Sequence, residues 1–126
     1  MASFRIYEYL APCFLFQKEP LKEGQSTIDN KPDVLKRLQT LVSMFKGTHN
    51  FHNYTRQLKA AAPQAKRYII DMAVSEVTYQ GREFFKFLIT GQSFLYHQIR
   101  KMIGVLIQTF QEGKDDSFIS HTMLWN

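Results

Sequence analysis

Apolar positions alternate with polar ones from Phe4 to Leu10, placing Phe4, Ile6, Glu8 and Leu10 on one side and Arg5, Tyr7 and Tyr9 on the other. That alternation predicts a strand with an Arg-Tyr-Tyr row on one face. After Pro12 and a short apolar run, Gln17 to Asn30 is polar, contains Pro20 and Gly24, and reads as a loop. The period then lengthens. Val34, Leu35, Leu38, Leu41, Val42 and Phe45 recur at helical spacing, with Asp29 or Asn30 available as a cap, Pro32 in the first turn and Gly47 as the stop. Thr48 to Thr55 is polar and aromatic without a clear period, and Leu58 to Ala65, containing Pro63, reads as an exposed connection.

Two strands follow, Arg67 to Tyr79 and Arg82 to Thr90, closing as a hairpin around Gln80-Gly81. Phe85, Phe87 and Ile89 mark the buried face of the second, and apolar Phe84 and Leu88 on its other face predict a central position in the sheet. A last helix is predicted from near Ser93 to about Glu112, with Leu95, Ile99, Met102, Ile103, Leu106 and Phe110 as one stripe and Gly113 ending it. The residues beyond are polar and predict no element. The order β-α-β-β-α is that of an α+β, ferredoxin-like or RRM-like unit with its final strand missing. That fold serves many functions, so chemistry has to be argued from particular residues.

Charge narrows the partners. The 126 residues carry a formal charge of +5. Between Val34 and Ile70 stand Lys36, Arg37, Lys46, Arg56, Lys59, Lys66 and Arg67 with no Asp or Glu, which favours a polyanion or a solvated basic surface. Cys13 is the one cysteine, set in an apolar run, so no internal disulfide forms and a buried, inert thiol is expected. No stretch approaches the roughly 18 apolar residues of a membrane span, and the first residues lack a signal-peptide pattern. The abrupt start before the first strand and the end at Asn126 give the expectation of a piece of a longer protein.

Three stretches carry a specific resemblance: FRIYEYLAP (Phe4 to Pro12), GTHNFHNYT (Gly47 to Thr55) and GQSFLYHQIRKMIG (Gly91 to Gly104). In this order, with the KRYI segment at Lys66 to Ile69, they resemble the TruA-type tRNA pseudouridine synthases, nearest the eukaryotic multisite branch. The resemblance implies an isomerase that breaks the N-glycosidic bond of a uridine, turns the uracil and rejoins it through C5, without a cofactor. The family's nucleophile is an aspartate in an Arg-Thr/Ser-Asp-x-Gly motif. None of Asp29, Asp33, Asp71, Asp115 or Asp116 has such surroundings, so the nucleophile is expected upstream and this chain is expected to be inactive alone.

The resemblance further implies that Tyr7 is the active-site tyrosine against the uracil ring and that Arg100 pairs with the catalytic aspartate. A ring on a sheet face can stack on a flipped base, typically for about 1 to 3 kcal/mol. A guanidinium at the margin of a helical stripe can hold a carboxylate by a bidentate bond, with Gly104 one turn on leaving room. The competing readings are a half-buried strand tyrosine, which Tyr9 retains, and a surface arginine snorkelling off a helix edge. His49 and His52 lie three apart, but no third ligand is nearby, so a metal is not expected. His49, Asn50, His52 and Asn53 are read as a hydrogen-bonding loop shaping an RNA cleft. Arg56, Lys59, Lys66, Arg67 and Lys101 are read as phosphate contacts, while His97 and Gln98 either touch the RNA backbone or are solvated.

The partner expected is tRNA, with other structured RNA as an extension and no membrane, in an intracellular setting: nucleus first, mitochondrion or cytoplasm as alternatives. A second copy pairing through an exposed sheet edge is also expected. Two rivals remain. One is a non-catalytic RNA-binding module, for which GREFFKF (Gly81 to Phe87) is a partial RNP-like match, and the other is a family member that serves only as an interaction subunit.

Overall fold

The computed structural model describes residues 4–51, 66–95 and 97–123. In chain order these form β1 (Arg5–Pro12), a 3-10 turn (Cys13–Leu15), α1 (Lys31–Ser43), β2 (Gly47–Asn50), β3 (Lys66–Tyr79), β4 (Arg82–Gly91), α2 (Gln98–Gln111) and α3 (Ser117–Thr122). The four strands make one sheet in the order β1-β4-β3-β2. Every neighbouring pair is antiparallel, so β1 and β3 run the same way with β4 between them and α1 as the crossover. This α+β arrangement is the ferredoxin-like order read from the sequence, with one short strand, β2, added outside β3.

Both long helices cover the same face. Leu38, Leu41 and Val42 of α1 and Met102, Ile103 and Leu106 of α2 join Ile69, Met72, Phe85, Phe87 and Ile89 of the sheet in one buried cluster. Phe16, just past the 3-10 turn, is buried and meets Phe85 edge-on at 5.3 Å and Phe110 at 5.8 Å between ring centroids. The predicted buried face of β4 is therefore correct, and its central position follows from apolar residues on both faces. Of the RNP-like GREFFKF, Phe85 and Phe87 point under the helices and are inaccessible to a base, while Phe84 stands half-buried on the other face.

On β1, Tyr7, Tyr9 and Ala11 stand opposite Ile89, Phe87 and Phe85, which places the Arg5-Tyr7-Tyr9 row on the helix-covered face. The opposite face of the sheet is open and carries exposed apolar residues among polar ones such as Glu8 and Lys86: Ile6 is 62% exposed, Phe4 60%, Leu10 47% and Leu88 37%. At the hairpin, Gln80 (φ 52°) and Gly81 (φ 77°) are both left-handed, as a two-residue type I′ turn requires.

Three boundaries differ from the sequence reading. The segment from Thr48, read as aperiodic, begins in β2, whose ladder to β3 pairs His49 with Arg67 and Asn50 with Lys66. Four residues are too few to display a period. The last helix starts at Gln98 and not near Ser93, because His97 is left-handed (φ 62°) and interrupts the apolar stripe that Leu95 seemed to begin. The tail, read as unstructured, holds α3, whose first turn is closed by the Ser117 N–H donating to Asp115 Oδ1 at 3.0 Å and whose Ile119 is fully buried. One buried side chain in six residues gives too weak a pattern to detect.

Cys13 is buried, as expected, near Lys31, which pairs with Glu76 (2.9 Å) and with Glu83. Burial pushes its thiol up from 9.0 to about 11, the carboxylate of Glu76 adding to the rise and the Lys31 ammonium opposing it.

Candidate active-site cleft

One row of residues, Arg5, Gly91, Ile69 and Gly47, runs straight across the sheet. At this end β1 begins, β4 finishes with residues 92–95 beyond it, and His97 leads into α2. Two residues inward on β1, Tyr7 faces the helices but sits on the sheet edge, which leaves it 39% exposed. Arg100 lies in the first turn of α2. Both line one cleft of about 320 Å³, together with Tyr9, Phe94, Leu95 and His97. The phenol and the guanidinium, 93 positions apart in the sequence, thus open on the same space.

The cleft is shaped by the turn before α2. The Gln98 side chain, fully buried, accepts the Leu95 N–H at 2.8 Å, and the Gln98 N–H donates to the Leu95 carbonyl at 2.9 Å. This double clasp satisfies groups that a helix start leaves unpaired. Gln98 is therefore a structural clasp and not the solvated or RNA-touching residue expected from the sequence. The Phe94 ring meets Tyr7 edge-to-face, with centroids 5.1 Å apart and planes at 86°. Sequence reasoning passed over Phe94 and Leu95 as cleft residues because it ran the helix back through them. The signal was available in the adjacent Gly91-Gln92-Ser93, which favours a turn over a helix.

Arg100 is exposed and, among the described residues, its side chain makes no ion pair or hydrogen bond. Its charge is open to an incoming anion. The acid at the cleft margin is Glu8, and none of Asp29, Asp33, Asp71, Asp115 or Asp116 lines it. Asp71 pairs with Lys46 at 2.9 Å and Asp116 with Arg37 at 3.3 Å, both elsewhere. Gly104 has nothing within 4 Å of where a Cβ would stand, so the face beyond Arg100 is clear.

The expected RNA contacts divide into groups. His97 and Lys101 sit beside Arg100, His97 in the cleft wall and Lys101 exposed on α2. His49, Asn50, Lys66 and Arg67 gather at the β2 edge, three strand spacings from β1, or roughly 14 Å. There His49 is tied down: its Nε2 lies 2.7 Å from the Lys46 carbonyl oxygen and its ring is edge-on to Phe51 at 6.0 Å. It shapes the turn into β2 and has little freedom to reach outward. Arg67 donates to the Lys66 carbonyl at 2.7 Å. His52, Asn53, Arg56 and Lys59, like Tyr54 and Tyr96, lie outside the described residues, so the His49–His52 pair is not placed as a pair. Among the described residues no three His, Cys, Asp or Glu side chains form a metal-binding group, and no described helix is long and apolar enough to cross a membrane.

The described residues form a single α+β unit with an aromatic-walled cleft, an open guanidinium and basic residues at the same end of the sheet. The family model described as tRNA pseudouridine synthase matches residues 41–123, and the chain belongs to that family. It is similar to the pseudouridylate synthase 1 homolog of Mus musculus, 38% identical over 104 residues, which is 82% of this chain and 25% of that protein. The Homo sapiens pseudouridylate synthase 1 homolog is 39% identical over 104 residues, 24% of its length. The tRNA pseudouridine synthase 1 of Candida albicans is 39% identical over 72 residues, 56% of this chain and 12% of that protein. The chain thus spans about a quarter of the length of the first two relatives.

Proposed function

We propose that this chain is the substrate-side part of a tRNA pseudouridine synthase. A uridine flipped out of the tRNA enters the cleft with its uracil against Tyr7. Arg100 receives the carboxylate of an aspartate supplied by the rest of the enzyme, holding it ionised for nucleophilic attack. The carboxylate bonds to the nucleotide and the glycosidic N1–C1′ bond breaks, the uracil turns within the cleft, and the carboxylate is released again as the C5–C1′ bond forms. The C5 proton then leaves, and N1 gains a proton, so atoms balance without oxidant, reductant or cofactor. The Tyr7 hydroxyl stands where it can assist removal of the C5 proton. Lys66, Arg67 and Lys101, with Arg56 and Lys59, neutralise phosphates and give affinity without reading sequence, which extends the substrate class to other structured RNA.

The observation that carries this reading is Arg100: an exposed guanidinium without a partner among the described residues, facing the same cleft as Tyr7, in a family member whose own aspartates lie elsewhere. The test measures tritium release from tRNA bearing 5-³H-uridine, for the chain alone and for the chain joined to a segment carrying the Arg-Thr/Ser-Asp-x-Gly motif. Release only from the joined form is expected. Release by the chain alone contradicts the assignment of the nucleophile. For the parent protein the compartment proposed is the nucleus, with the mitochondrion or cytoplasm as alternatives that imaging of a tagged chain distinguishes.

A further inference from the structure

We propose that Phe94 is a positioning residue for the Tyr7 ring, and that the bare backbone of Gly91 is what lets it act. The proposal rests on the reading of Tyr7 as the ring that meets the uracil. On an edge strand a tyrosine has a ladder neighbour on one side only, and several staggered rotamers are open to it. Across the ladder Tyr7 meets Ile89, and the contact that fixes the plane of its ring is Phe94, perpendicular at 5.1 Å.

Phe94 is itself wedged. A Cβ built on Gly91 would come 2.8 Å from Phe94 Cζ, closer than real side chains approach, and 3.2 Å from the Tyr68 carbonyl oxygen, a tight contact that a small shift relieves. Gly91 is not among the residues with positive φ, so its backbone conformation would accept alanine, and what the glycine chiefly serves is the space taken by Phe94, with the Tyr68 carbonyl a second, looser neighbour. The segment is anchored at both ends. Gly91 is in ladder register with Arg5 and Ile69, and Leu95 is clasped by Gln98. Arg100 follows two residues later in the same helical turn. Residues 91–95 and 97–100 therefore set the orientation of the phenol and the origin of the guanidinium together.

The wedge predicts a coupling that burial alone does not. Gly91→Ala pushes the far end of Phe94, and Phe94→Leu removes the ring while keeping an apolar side chain. Leucine does not reach the Gly91 position, so in the double variant only the tight approach to the Tyr68 carbonyl remains, and the loss should be smaller than the two single losses combined. In the full-length enzyme each single variant should lower kcat by about tenfold or more, as misplaced reacting groups do, with KM for tRNA held within about twofold. In parallel, the Tyr7 ring resonances, assigned by Tyr7→Phe, should move in both single variants while those of Tyr79 at the distant hairpin stay fixed. Unmoved Tyr7 resonances, additive effects in the double variant, or losses confined to KM overturn the proposal. If the wild-type enzyme forms no pseudouridine, the functional reading fails, and the ring resonances with their double-variant coupling decide the positioning by themselves.

Discussion

Tyr7 and Arg100 could be picked out from sequence because each stands inside a specific motif, and the fold brings them to one cleft. Phe94 and Gln98 stand in the same motif but act through three-dimensional contacts, a ring perpendicular to Tyr7 and an amide folded back on Leu95. Neither contact leaves a trace in periodicity, and Gln98 is fully buried although glutamine is ordinarily exposed. Cys13 gives a test at this scale. Its thiol pKa is raised from 9.0 to about 11 by burial first, so the folded chain holds the proton more tightly than the unfolded chain. The resulting stabilisation is complete below pH 9 and is lost as the pH rises toward 11. Denaturant titrations should show stability falling across that window, with the fall reduced in Cys13→Ala. Thiol reagents at neutral pH should label the native chain far more slowly than the unfolded one.

At the level of elements, long periodic stretches were legible and short or locally clasped ones were not. α1 and the β3–β4 hairpin declare themselves through period and turn chemistry, whereas β2 and α3 contribute four and six residues. The start of α2 was misplaced because Leu95 continues the helical spacing while the backbone at His97 does not. The hairpin turn offers a measurement free of packing. A Cβ at Gly81 would touch nothing within 4 Å, so Gly81→Ala carries only the cost of a left-handed backbone. Its unfolding free energy should fall by about 1 to 2 kcal/mol. A change near zero would mean that the turn relaxes to another type.

For the whole molecule, the candidate cleft lies at one end of the sheet, and the open face exposes several large apolar side chains among its polar ones. β1 is an edge strand of eight residues, with Ile6 and Leu10 exposed on it and Phe4 exposed just before it. Such an edge with an apolar face favours association. Light scattering of the chain alone should show mass rising with concentration, and Ile6→Lys should suppress it; a monomer at every concentration contradicts this. The functional claim rests on Tyr7 and Arg100 serving one reaction centre. Single-turnover pseudouridine formation on tRNA by the full-length enzyme tests it most directly, comparing Tyr7→Phe and Arg100→Ala with Arg82→Ala, an exposed residue at the opposite end of the sheet. Losses of about a hundredfold or more for the first two, with Arg82→Ala within about twofold of wild type, are predicted. An Arg100→Ala enzyme as fast as wild type would contradict it.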